Sequence, residues 1–476
     1  MRWPETLRPV RMARVAIVAP LDGLRDALAR VADAGVVEFD LPPTDGGGQG
    51  KAARLLQRAG GERPEPALLP SAPDLDELAA AGRTDLLAGE AELEDRAAAA
   101  FRRGEVAALA GWTPQTARSG LAARLADAGA AVVPLPHPRG AETPTVLPGG
   151  TPEQSLRGSL TPLVETYGTV PYADIDPTPL AWAAYVLMFG MMFGDAGQGL
   201  MLLAGGIALW AGYPRRRPRL RRAWPFVVGA GVTSTAFGLL YGEFFGPTGV
   251  VPVLWLAPLD SPVELLVAAV GVGSVLLAAA FALGIVNRWR EGGWAVALYE
   301  PSGIAGASAF LGLGGLAAGA YLDAPPLAVA GGAAGVLGLA LAFTGFLAGS
   351  GGGGAGVVEA VVELFDLVVR LGANVVSFAR LAAFGLTHAA LAGIVWAGTA
   401  ALWGRGGVLA VLAAIALFVA GTAVTFALEA LVAGVQALRL EYYELFSRLF
   451  TTQGRPFRPW HIPLTAQEVD GPCPQK

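Results

Sequence analysis

The feature that most constrains this chain is a row of apolar runs in its second half, at about 180–212, 224–245, 262–286, 301–321, 326–348, 372–403 and 407–449. A helix crosses a bilayer with about 20 apolar residues. Each run is therefore long enough for a passage, and the last two are long enough to require strong tilt or extension into water. Composition agrees: 53% of the 476 residues are hydrophobic, 15% are charged, and the mean hydropathy is +0.50. No single soluble core hides that much apolar surface.

The first half obeys a different solvent. Residues 1–178 read as a soluble α+β arm, 179–452 as a polytopic helical membrane domain, and 453–476 as a C-terminal tail. In the arm, Arg14–Ala19 reads as a strand, Leu21–Ala34 as an amphipathic helix and Gly35–Phe39 as a second strand. The pattern recurs at Glu105–Ala110, about Pro114–Ala128 and Ala130–Val133. Two strand–helix–strand units suggest a ferredoxin-like layer. Leu41–Pro73, rich in Gly and Pro, reads as loop, and about Leu75–Arg102 as an acidic, Ala-rich helix. GGGQGK (Gly46–Lys51) lacks both the leading Gly and the trailing Ser or Thr of a phosphate-binding loop, so it reads as linker. The opening residues carry charges throughout and do not read as a signal peptide. Cys473 is the single cysteine, which leaves no internal disulfide or cysteine metal cluster, and no cofactor or metal is expected. The formal net charge of −5 gives no footprint for nucleic acid.

Arginine placement orients the runs. Tyr213–Arg222 (YPRRRPRLRR) and Asn287–Arg290 read as inside loops; Gly246–Ser261, Tyr321–Pro325 and Gly404–Gly407 read as outside loops. This agrees for the runs from 224 to 348 but puts the arm and the Arg-rich loop on opposite sides if 180–212 crosses once. FGDAGQG (Phe193–Gly199) offers a way out. Gly194, Asp195, Gly197 and Gly199 can break the run into a hairpin that returns to the inside, buried against other helices. The alternative is one long tilted helix that tolerates its glycines. With the hairpin, about eight membrane helices place both termini in the cytoplasm.

Ionisable groups inside membrane helices are costly and mark candidate sites. They concentrate in the last two runs. Asp366, Ser377, Arg380 and Thr387 share one face at about 100° per residue, with His388 at its edge and Asn374 and Arg370 nearby. The final helix carries Glu429, Gln436 and Arg439, the first two on one face. Arg439, with Glu441, Glu444 and Arg448 following, has the bland alternative of snorkelling to an interface. Arg380 does not, since it lies more than about 10 Å from either apolar end.

SFARLAAFGLTHAAL (Ser377–Leu391) and LEALVAGVQALRLEYYELFSRLF (Leu428–Phe450) resemble the signature helices of the membrane stator of V/A-type rotary ATPases, called subunit a or I. MFGMMFGDAGQGL (Met188–Leu200), YGEFFG (Tyr241–Gly246), DPTP (Asp176–Pro179) and, upstream, MARVAIVAP, GVVEFD and GWTP resemble its other segments in the same order. The resemblance implies a non-catalytic chain of a bacterial or archaeal cell membrane, with ATP chemistry on other subunits. Its implied partners are a rotor ring of proteolipid subunits, E/G-type peripheral-stalk subunits through the N-terminal domain, a central-stalk adaptor and membrane lipid. By the same resemblance, Arg380 faces the rotor ring, Arg439 supports it, His388 and Glu429 line the outer access path, and Asp366 belongs to the inner one. The family often has His at the place of Glu441 and Lys at that of Arg448, and Arg370 is an additional cation. The soluble half is also short for the family, which implies a shortened arm.

Together these readings predict two proton half-channels, Asp366–Asn374–Ser377 inside and Glu429–His388–Gln436 outside, divided by Arg380. Competing classes are a secondary transporter, which should show a second broken helix in a repeat, and a non-conducting scaffold, which has no use for a buried Arg–His–Glu set.

Overall fold

The computed structural model describes residues 9–40, 50–60, 64–137, 142–147, 160, 164, 167–214, 218–449 and 454–465. The chain divides into two compact units. One is built from Pro9–Val146 together with the chain from Gly454 onward, the other from Leu147–Gln453.

The smaller unit is an antiparallel sheet with helices against it. Its strands are β1 (Met12–Pro20), β2 (Glu38–Phe39), β3 (Phe101–Arg103), β4 (Val106–Pro114) and β5 (Ala131–Pro134), in the order β2-β4-β1-β5, with β3 on β4. Period-two burial of Val15, Ile17 and Ala19 turns one face of β1 inward. Helices α1 (Leu24–Ala34) and α5 (Arg118–Ala126) follow β1 and β4, which gives two split strand–helix–strand units. Between them the stretch Leu41–Pro73 is not all loop: α2 (Lys51–Ala59) forms there, seating Ala52 and Ala53 against Ala91. Lys51 pairs with Asp76 at 2.6 Å, and residues 46–49 of the Gly-rich motif lie outside the described residues. The single acidic helix expected over 75–102 is two, α3 (Leu75–Ala80) and α4 (Thr84–Ala98). Gly82, at φ 68°, turns the chain between them.

Residues 454–465 are a strap on this unit. Trp460 donates its amide to Val37 O at 2.8 Å and its indole N–H to Glu92 at 3.1 Å. Its ring lies 5.8 Å from that of Phe39, with the Arg96 guanidinium over its face. Ile462 is buried, its amide donating to Ala32 O at 3.1 Å.

The larger unit is helical: α6 (Thr178–Met192), α7 (Ala196–Trp210), α8 (Trp224–Tyr241), α9 (Pro262–Tyr299), α10 (Ile304–Tyr321), α11 (Pro325–Gly349), α12 (Gly353–Ser377), α13 (Ala379–Trp403) and α14 (Val408–Leu440). The last continues through a π-helical turn, Glu441–Phe446, to Leu449. Among the described residues, five spans are long and apolar enough to cross a bilayer: 224–241, 262–299, 304–321, 325–349 and 408–449. The 42 residues of the last reach about 63 Å, twice the hydrocarbon thickness. The chain is a multi-pass membrane protein.

The run 180–212 is broken at Phe193–Asp195, and contacts along α8 give the directions of its two halves. A Cβ at Gly229, Gly190 or Gly194 would meet Val186, Thr233 or Tyr241 respectively, so α6 runs parallel to α8. A Cβ at Gly206, Gly199 or Gly238 would meet Val228, Thr235 or Ala196, so α7 runs back along it. Helices α6 and α7 therefore form a hairpin clasping α8.

Two further sequence expectations need correction. Asn287–Arg290 is not a loop: α9 continues through it, with Asn287 and Arg288 buried and Arg288 paired to Glu291 at 2.6 Å. That pairing satisfies a cation that would otherwise seek water. The helix breaks later, at Gly293 (φ 76°). Nor is 366–388 one helix. At Phe378 the ladder tightens to three-residue spacing, Phe378 N to Val375 O at 3.1 Å and Leu381 N to Phe378 O at 2.9 Å. The Phe378 ring is fully buried where a Cβ on Gly273 of α9 would collide with it. Helical phase computed across that point does not hold, so Asp366 and Thr387 do not share a face by simple periodicity.

Candidate functional site

Among the described residues, expected site residues gather in two polar clusters of the helical unit. The first surrounds Arg380, at the start of α13. Its Nε donates to Ser377 O at 3.0 Å, and Nη2 stands 3.2 Å from Glu444 Oε1. The Ser377 hydroxyl donates to the same carboxylate and accepts from Arg380. Asn374, with its amide oriented to suit its neighbours, donates to Glu444 Oε2 at 2.9 Å and accepts from Arg448 at 3.0 Å. The Arg448 guanidinium lies over Phe281. Glu444 and Arg448 are buried, whereas 27% of the Arg380 side chain stays accessible. Arg380 is thus held by its own chain on one side and open on another.

The second cluster forms where α13 meets α14 and the tip of the α6–α7 hairpin. His388 Nδ1 lies 2.5 Å from Glu429 Oε2, and Nε2 lies 3.9 Å from Glu243 Oε2. The imidazole packs on Phe193, ring centroids 4.9 Å apart. Asp195 caps α7: Oδ1 accepts from Gln198 N at 2.8 Å and Phe245 N at 3.0 Å, and Oδ2 from Gly246 N at 2.7 Å. All four residues are buried. His388 follows Arg380 by eight residues, about 12 Å along the helix.

The expected residues therefore separate. Asn374, Ser377 and Arg380 converge, as do His388 and Glu429. Asp366 joins neither cluster among the described contacts: it is exposed on α12 and pairs with Arg370 at 2.6 Å. Arg439 is exposed and makes no ion pair among the described residues. Gln436 buries its amide oxygen with no described partner. Gly194 lies in the hairpin break with Asp195, while Gly197 and Gly199 lie in α7, where Phe245 and Thr235 leave no room for a Cβ.

Two acids were not singled out from sequence. Glu243 sits in YGEFFG directly after an apolar helix, and Glu444 follows one. A charge at the end of an apolar run is ordinary in sequence, so neither carries the signal that Arg380 does. Glu441 is a third, fully buried with neither carboxylate oxygen hydrogen-bonded among the described residues.

No protein-family model matches the chain. It is 27% identical over 317 residues to an A-type ATP synthase subunit I of Pyrococcus horikoshii, covering 65% of this chain and 46% of that protein. It is 29% identical over 350 residues to the subunit I of Aeropyrum pernix (62% and 49%). For Archaeoglobus fulgidus subunit I the figures are 28% over 408 residues (74% and 58%). The chain spans about half the length of the curated relatives it matches. In sequence and in membrane architecture the chain is similar to the V/A-type ATPase subunit a/I family.

Proposed function

We propose that this chain is the membrane stator of a V/A-type rotary ATPase and carries two proton half-paths that meet a rotor ring on either flank of Arg380. The observation that supports this most directly is the pair of polar clusters about 12 Å apart on α13, with a partly accessible arginine in one of them. The rotor carboxylates belong to another chain. Facing lipid, such a group must be protonated, because its anion is too costly there. A guanidinium is a permanent cation, so a carboxylate brought against Arg380 releases its proton.

The outer half-path runs through Glu243, His388 and Glu429, with Gln436 further along α14. The inner one runs through Glu444, Asn374 and Ser377, with Asp366 at its mouth and Arg439 in support. Arg380 between them prevents a direct proton leak. The smaller unit serves as the attachment for peripheral-stalk and central-stalk subunits, and both termini face the cytoplasm. The test is coupled pumping by the complex in proteoliposomes: Arg380→Ala should abolish it, and full pumping by that variant would overturn the assignment.

A further inference from the structure

The outer cluster holds more ligand chemistry than a proton wire needs. One oxygen each from Asp195 and Glu243 and a ring nitrogen of His388 lie within 4.8 Å of one another, all buried. Two of the atoms involved, His388 Nε2 and Glu243 Oε2, have no hydrogen-bond partner among the described residues, although both side chains are more than nine-tenths buried. They face each other at 3.9 Å. A buried lone pair left without a donor is costly, and an arriving ligand can relieve that cost.

We propose that Asp195, Glu243 and His388 form a binding site for a transition-metal dication of the zinc type, and that its occupancy closes the outer half-path. The donor set selects the ion. One imidazole and two carboxylates suit zinc, which is commonly held by three protein ligands and a water. Calcium needs six to eight oxygens and magnesium a near-ideal octahedron, so neither is well served here. The arrangement behind the histidine is that of a metal site. Glu429, 2.5 Å from Nδ1, would orient the imidazole with its proton on that nitrogen when a metal is bound, which turns the Nε2 lone pair to the face shared with Glu243. Three neighbouring carboxylates, those of Asp195, Glu243 and Glu429, offset the charge of a dication.

Geometry allows the ion after a small contraction. Ligand atoms about 2.0–2.2 Å from zinc stand about 3.4 Å apart in a tetrahedron. The His388–Glu243 pair, at 3.9 Å, must close by about half an ångström, and the widest pair, within 4.8 Å, by up to about 1.4 Å. Asp195 keeps its backbone hydrogen bonds, since each carboxylate oxygen has lone pairs beyond those used. Once bound, the metal occupies the two atoms that hand a proton from His388 to Glu243.

The closure rests on the half-path assignment; the binding does not. The test therefore measures zinc binding and proton flux separately, on the assembled complex in proteoliposomes. Zinc affinity is read by competition with a chelating dye, per copy of this chain. The only other histidines, His137 and His461, lie in the smaller unit. His388→Ala and Glu243→Gln should each weaken binding by more than tenfold. Glu429→Gln, which keeps all three ligands, should weaken it by about 10–100-fold. Wild-type flux should fall as zinc is added from the outer side. Unchanged zinc affinity in both His388→Ala and Glu243→Gln overturns the site, even if flux falls. Loss of zinc affinity in both, with metal-free flux at wild-type level, keeps the metal site and overturns the outer half-path instead.

Discussion

Arg380 Nη2 and Glu444 Oε1 stand 3.2 Å apart, which gives this arginine an acid partner on its own chain. The partner sits on the π-helical turn that extends α14, and Ser377 and Asn374 tie both to the end of α12. In the proposed function, a rotor carboxylate approaching Arg380 would compete with Glu444, and the pair would limit how tightly the visiting acid is held.

Glu444→Gln keeps the shape and removes that competition. A charge-assisted hydrogen bond of this kind is worth about 1.5–3 kcal/mol. We expect the complex to assemble, and coupled proton flux to fall about tenfold through slower release from Arg380. Pumping at wild-type speed in the glutamine variant would show that the visiting carboxylate ignores Glu444.

The hairpin rests on close backbone approach. A Cβ on Gly238 would stand 2.0 Å from the Ala196 amide nitrogen, whereas one on Gly205 meets nothing within 4 Å. Gly238→Val should therefore force α7 off α8 and deplete the protein from membranes. Gly205→Ala should be neutral, or stabilising by about 0.5–1 kcal/mol from helix propensity. Membrane abundance and thermal melting of the purified protein distinguish the two. Equal behaviour would mean that the hairpin does not depend on this contact.

Asp174, just before α6, is fully buried; burial, followed by the Glu291 carboxyl beside it, pushes its pKa up to about 8. An acid whose folded pKa exceeds its unfolded value of 3.8 binds more protons folded than unfolded. Its contribution to stability is then full below about pH 4 and is lost as pH rises toward 8. Asp174→Asn should melt higher than wild type at pH 8, and the gap should narrow on acidification. A gap independent of pH would place the group in a wetter site.

Trp460→Ala removes a buried indole and its bond to Glu92, for a cost of about 3–5 kcal/mol in the smaller unit. Limited proteolysis of the full-length protein should then cut the strap and the sheet helices far faster, with Trp460→Phe intermediate. Resistance equal to wild type would show that the strap is dispensable.

What the sequence revealed follows from the length over which each signal acts. Period-two burial in MARVAIVAP and the return of the pattern after Gly104 marked four of the strands, because alternation is local. The apolar runs marked the membrane unit for the same reason. The break at Phe193–Asp195 was readable as an Asp among glycines, since hydrocarbon tolerates a carboxylate where free backbone amides need a cap. The α2 helix was hidden because Gly- and Pro-rich neighbours diluted its pattern. The interruption at Phe378 was hidden because its cause, the seat at Gly273, is more than a hundred residues away. In the site, Arg380, His388 and Glu429 announced themselves by being in the wrong solvent. Glu243 and Glu444 did not, since each stands at the end of an apolar run where a charge looks ordinary. Only the packing of α8 and α14 against α13 shows them turned inward.

The strap formed by residues 454–465 has a mechanical meaning. The chain leaves the sheet unit once, near Val146, and rejoins it near Gly454, so the helical unit is spliced into the sheet unit like a link clipped at both ends. A body hung from one strand of polypeptide can swivel about single bonds and dissipate a twist. A body joined by two cannot turn far without winding them together.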